Sequence, residues 1–366
     1  MTARETSTRG NEPTSTRGSE PTSTTGSEPT TDEGWTDDIL GPPFQQRTLP
    51  LGADDEGAVV ATLVRRLPHR LTAAFRPLHD VDILYVHGWS DYFFQVELAR
   101  FWTDLGARFH ALDLRKYGRS LRDGQTPGYV TDLAVYDEDI AAALTVMGHT
   151  PGEEADASPR RLVLLGHSTG GLILTLWAAR HPGLASAVVL NSPWLELQLG
   201  AIGRQALTPL VEVRARLDPR GTHPAVDLGY YTRAQRELGT LPPDDHVAWR
   251  PARGFPTHPG WLWAIIEGHR AVAMGVDVGC PVLVLLSRHS ATAFSWSETL
   301  RAVDSVLVVD DIARAATRIG SLVTISRIDG ALHDVFLSAP AAREAAYATL
   351  RAWILGLPGR PPGLGG

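Results

Sequence analysis

Arg161-Leu162-Val163-Leu164-Leu165-Gly166-His167-Ser168-Thr169-Gly170-Gly171-Leu172-Ile173 is the stretch around which the chain is organised. A short leucine and valine run breaks at Gly166 to Gly170, and an apolar-periodic segment resumes at once. This reads as strand, sharp turn, helix. The turn matches Gly-x-Ser-x-Gly, a strained corner that lifts a serine above a sheet edge while the flanking glycines relieve the crowding. Ser168 is the candidate nucleophile.

Elements that alternate around this stretch extend the reading in both directions. Upstream, 45–51 and 58–66 read as opening strands, 81–86 as a buried strand, 94–105 as a helix, 109–114 as a strand and 131–147 as a helix. Downstream, 172–180 completes a helix, 185–190 is a strand, and the alternation lapses over 195–279, where aromatics scatter among prolines. It returns with strands at 281–286 and 322–328, a helix from about 310 to 318 and a terminal helix over 340–355. Strands separated by helices in this way predict an α/β fold: a mostly parallel sheet of about eight strands flanked by helices, carrying an inserted helical cap.

The predicted organisation is a disordered repeat tail over 1–36, a core in two parts over 37–194 and 280–357, the cap over 195–279, and a flexible tail over 358–366. Three eight-residue units from Thr6 to Pro29 contain no apolar residue, so their repeat cannot build a core. The 366-residue chain carries a net charge of −7, which argues against a nucleic-acid partner. No run of about eighteen apolar residues suggests a membrane span, and no secretory leader is visible, so a cytoplasmic protein is the expectation. One cysteine, Cys280, excludes an intrachain disulfide, and its apolar surroundings predict a buried structural thiol.

A serine hydroxyl becomes an effective nucleophile only when a base takes its proton and a carboxylate holds that base. Behind a corner of this kind the order is serine, acid, histidine, with the histidine after the last strand. Of thirteen histidines only His333 lies there. The loop after the 281–286 strand, Ser287-Arg288-His289-Ser290, carries no acid. Asp304 is the first choice, with Glu196, Asp310 and Asp311 as alternatives, the last two also reading as caps of the following helix. The backbone N–H groups of Thr169 and of Trp89, after His87-Gly88, are the candidate oxyanion donors.

His87-Gly88-Trp89, Gly166-His167-Ser168-Thr169-Gly170-Gly171 and Gly330-Ala331-Leu332-His333-Asp334 together resemble the α/β-hydrolase superfamily, specifically the serine hydrolases of the monoacylglycerol lipase, lysophospholipase and serine aminopeptidase S33 type. The resemblance spans about 38–357 and implies hydrolysis of a small-molecule ester, an acylglycerol, lysophospholipid or similar apolar compound, without metal or organic cofactor. Two departures stand out: the acid is missing from its usual loop, and Tyr117 replaces the histidine of a His-Gly-x-Ser loop. The alternatives are a peptidase of the same fold, with Asp244-Asp245 as a poor match for an amine-binding carboxylate pair, and a binding protein that has lost turnover. The cap aromatics read as a small core of their own, with an apolar acyl pocket as the second possibility.

Overall fold

The computed structural model describes residues 34–149, 160–197, 200–222, 228–242 and 246–357, without the side chains of 200–207. The three octads and the 358–366 tail lie outside the described residues, as do Asp244 and Asp245. In chain order the elements are β1 (Thr36–Asp37), β2 (Gln45–Asp54), β3 (Gly57–Arg66), β4 (Val81–Val86), α1 (Val96–Asp104), β5 (Arg108–Asp113), α2 (Tyr136–Met147), β6 (Arg161–His167), α3 (Thr169–Arg180) and β7 (Ala187–Asn191). Then follow α4 (Gly200–Leu217), α5 (Tyr230–Glu237), α6 (Pro259–Met274), β8 (Val282–Ser287), α7 (Val309–Ala316), β9 (Val323–Ile328) and α8 (Pro340–Gly356).

The nine strands form one sheet in the order β1-β2-β3-β5-β4-β6-β7-β8-β9. It is antiparallel from β1 to β5 and parallel from there to β9. The extra strand over the expected eight is the two-residue β1, too short to leave a periodic signal.

Unbroken apolar runs form the central strands because both faces of the sheet are covered. Successive residues of β4, β6, β7 and β8 alternate between two cores: Leu84, Leu164, Leu190 and Val284 enter one, and Ile83, Leu165, Val189 and Leu283 the other. The first core is closed by α2, α3, α6 and α7, the second by α1 and α8. Helix α8 buries Ala342, Ala346, Leu350 and Ile354, one residue per turn, which is the spacing of a single helical face. Each fully buried leucine contributes about 1.5–3 kcal/mol. Cys280 is half-buried rather than buried, and burial still pushes its thiol up to about 12, which keeps it protonated.

The direction of strand addition reverses at β4, which pairs with β5 on one side and β6 on the other. The loops leaving the carboxyl ends of β4 and β6 therefore diverge and leave a crevice, the usual ligand position in open α/β sheets. Between β7 and β8 the described residues hold α4, α5 and α6 and no strand. No helix among the described residues is long and apolar enough to cross a membrane.

Candidate active site

Ser168 sits between β6 and α3 with φ 51° and ψ −117°, a strained conformation for a residue with a side chain. The neighbouring glycines are there for space. A Cβ on Gly170 would lie 2.3 Å from His87 O and 2.4 Å from Val86 O, one on Gly166 2.7 Å from Gly170 O, and one on Gly171 2.7 Å from Pro193 Cβ. Gly170→Ala should accordingly cost about 1–3 kcal/mol through forced overpacking against backbone, read as a lowered thermal midpoint.

The loop after β4 presses on the same corner. A Cβ on Gly88 would stand 3.1 Å from Ser168 Cβ and 3.2 Å from His167 Cδ2, so Trp89 follows directly beside the serine. His87 anchors the loop: its Nδ1–H donates to Gly88 O at 2.7 Å while Nε2 accepts the Leu114 N–H at 3.2 Å. Burial lowers the pKa of this ring, consistent with the neutral form those two bonds require. Thr169 is the first residue of α3, so its N–H has no partner within the helix.

His333 lies between β9 and α8, and its Nδ1 is 2.9 Å from Asp304 Oδ2. A carboxylate only accepts, so the proton sits on Nδ1 and the lone pair on Nε2. That Nε2 is buried and has no hydrogen-bond partner among the described residues. Asp304 is fully buried, and its Oδ1 accepts the N–H groups of Val306 and Leu307, both at 2.8 Å. The ring of His167 lies 5.0 Å from that of His333 and donates from Nδ1 to Asn191 O at 3.1 Å. Burial lowers the His167 pKa, which spares His333 a cationic neighbour.

The missing acid of the β8 exit loop has a structural explanation. Ser290 pairs with Asp304 in an isolated bridge, with Asp304 N–H donating to His289 O and Ala291 N–H to Asp304 O, both at 2.9 Å. The chain leaves after Ser290, makes an excursion over 291–303, and returns Asp304 alongside the position where an acid was expected. The alternatives are located elsewhere. Glu196 and Asp311 line a different cavity of about 630 Å³, and Asp310 pairs with Arg327 at 2.6 Å. Nor do Asp310 and Asp311 cap α7; they occupy its first turn, and the N-cap residue is Val308, which makes no side-chain cap.

Trp89, Ser168, Thr169 and His333 all line one cavity of about 640 Å³. Its apolar wall includes Trp194, Phe255, Val306 and Leu307. The cap aromatics divide: Trp263 packs on a small cap cluster of Leu197, Val211 and Ile266, whereas Trp261 packs 5.1 Å from Trp89 and 6.0 Å from Trp194, and Phe255 6.2 Å from Trp89. Tyr117, the other departure, is buried with its ring 4.8 Å from His87 and 6.0 Å from Phe255, a packing position.

Sequence reasoning did not single out the polar end of this cavity. Asp91 accepts from Arg250 Nε at 3.0 Å, and Tyr231 stands edge-on to His333 with ring centroids 5.6 Å apart. Burial raises the Asp91 pKa, with Arg250 opposing. Tyr231 belongs to the aromatic scatter visible in the sequence; Arg250 and Asp91 leave no spacing signal.

The chain is similar to several known proteins. Lysophospholipase L2 of Escherichia coli K12 is 27% identical over 272 residues, covering 68% of this chain and 73% of its own. A monoacylglycerol lipase of Mycolicibacterium smegmatis is 28% identical over 138 residues, covering 37% and 45%. The crystal structure of a soluble variant of the Saccharomyces cerevisiae monoglyceride lipase superposes with a TM-score of 0.57 at 14% identity, covering 84% of this chain and 95% of that one. This last likeness is one of fold, and the fold is that of the α/β hydrolases. The family model of the serine aminopeptidases S33 matches residues 79–293, from before the Trp89 loop to within the excursion that precedes Asp304, and the chain belongs to that family.

Proposed function

We propose that the protein is a serine-dependent carboxylic ester hydrolase working through an acyl-enzyme, with an acylglycerol, lysophospholipid or similar apolar ester as substrate. The observation that carries this reading is the buried Asp304–His333 pair: His333 lines the same cavity as Ser168, and its Nε2 has no hydrogen-bond partner among the described residues. The relatives named a lysophospholipase and a monoacylglycerol lipase support the substrate class.

In the proposed reaction Ser168 Oγ attacks the ester carbonyl and its proton passes to His333 Nε2. Asp304 stabilises the imidazolium through Nδ1–H. The negative charge on the former carbonyl oxygen is held by the N–H groups of Trp89 and Thr169, which need no reorganisation as the charge develops. Collapse of the tetrahedral intermediate breaks the ester C–O bond, and the alcohol leaves with the proton from Nε2. Water then enters, loses a proton to His333 Nε2, and attacks the acyl-enzyme; the second tetrahedral intermediate collapses by breaking the acyl C–Oγ bond, the proton on Nε2 passes to Ser168 Oγ, and the acid is released. The insertion over 195–279 acts as the cap that supplies apolar wall to the acyl side of the cavity.

The family's description names an aminopeptidase, and an amine-binding site would need a free carboxylate in the cavity. Asp91 is the one carboxylate among the described lining residues, and it is already tied to Arg250. p-Nitrophenyl esters of graded acyl length should therefore be hydrolysed, and aminoacyl p-nitroanilides left intact under the same conditions. Turnover of the anilides alone would replace this reading with the peptidase.

A further inference from the structure

Helix α5 touches the histidine loop and the excursion that carries Asp304, and it reaches the Trp89 loop through Arg250. The Tyr231 hydroxyl accepts the Asp334 N–H at 3.2 Å, next to His333, and the Gln235 Nε2–H at 2.9 Å. Gln235, fully buried, turns its Oε1 to the Arg250 guanidinium, an orientation fixed because arginine only donates. Arg250 in turn holds Asp91, two residues beyond Trp89. A continuous polar chain thus runs from the histidine loop through α5 to the loop bearing one oxyanion donor.

The same helix also grips the excursion that delivers Asp304. Tyr230 Oη donates to Phe294 O at 3.3 Å, the Arg233 guanidinium lies 4.1 Å over the Trp296 ring, and Glu237 pairs with Arg301 at 3.7 Å. An acid at the end of a thirteen-residue excursion (291–303) has no strand of its own to fix it, whereas catalytic geometry tolerates about 0.5 Å of error.

We infer that α5 is a positioning element, with Tyr231 as its central residue, that holds the acid excursion, the histidine loop and the oxyanion loop in register. This rests on the reading of Asp304 and His333 as acid and base. It gives the insertion a role in the chemical step beyond forming a wall for substrate.

The test is a double-mutant cycle on the full chain, with p-nitrophenyl acetate as a substrate too short to depend on the acyl wall. Tyr231→Phe keeps the ring and removes the hydroxyl. The expected result is a kcat about tenfold lower with KM changed less than about twofold, the signature of a lost transition-state contribution. In an Asp304→Asn background the further loss should be under about twofold, because residues acting through one unit are not additive. An effect on KM alone, or the same fold-loss in both backgrounds, overturns the proposal. If Tyr231→Phe does not fold, Arg233→Ala, half-exposed and away from the cavity, replaces it in the same cycle with an expected loss of about threefold. If Asp304→Asn alone keeps wild-type kcat, the acid assignment fails and this proposal with it; if Asp304→Asn is crippled and the α5 variants are not, only the proposal fails.

Discussion

Ser168→Ala should lower kcat for ester hydrolysis by about 10⁶-fold, the scale of losing the nucleophile from a serine–histidine–acid unit. Alanine meets the same backbone constraint as serine at φ 51°, so the corner and its glycine contacts survive the substitution. The variant should melt like the wild type and still bind substrate in the 640 Å³ cavity. Any remaining rate reflects the oxyanion donors and binding alone. Activity within tenfold of wild type would remove Ser168 from the mechanism.

Asp304→Asn is expected to cost about 10⁴-fold in kcat, through the tautomer rather than through folding. Asp304 Oδ1 already accepts two backbone N–H groups, from Val306 and Leu307. The amide oxygen of asparagine must keep that place, since its NH₂ cannot accept. The NH₂ is then directed at His333 Nδ1, which lies 2.9 Å from Oδ2 in the native protein. The ring is forced to carry its proton on Nε2, where it can no longer take one from Ser168. Glu196→Gln and Asp311→Asn, which alter residues of the other cavity, should leave kcat within about twofold. Loss of turnover in either, with Asp304→Asn active, would reassign the acid.

Much of this was legible in the sequence where a single physical cause dominates. The buried strands read clearly because both sheet faces are covered, so their apolar runs are unbroken from Ile83 to Val86 and from Val282 to Leu286. Gly166, Gly170 and Gly171 read clearly because backbone or proline atoms occupy the space a side chain would need. His333 stands out as the candidate base by its position after the last strand. Asp304 was harder, since its neighbours come from a tertiary bridge to Ser290 that no local pattern encodes. Long-range partnership also hid the Asp91–Arg250 pair, 159 residues apart, and the hold of Tyr231 on Asp334. The cap aromatics read only in part: Trp263 joins a small cap cluster, but Trp261 and Phe255 pack against Trp89 and Trp194 beside the cavity.

Reaction of the folded protein with a fluorophosphonate, followed by peptide mapping, tests the central claim most directly, because only a serine activated by a neighbouring base displaces fluoride rapidly. The account predicts one label per chain, on Ser168, abolished in Ser168→Ala and strongly slowed in Asp304→Asn. A folded wild-type protein that takes up no label, or takes it up at another residue, would contradict it.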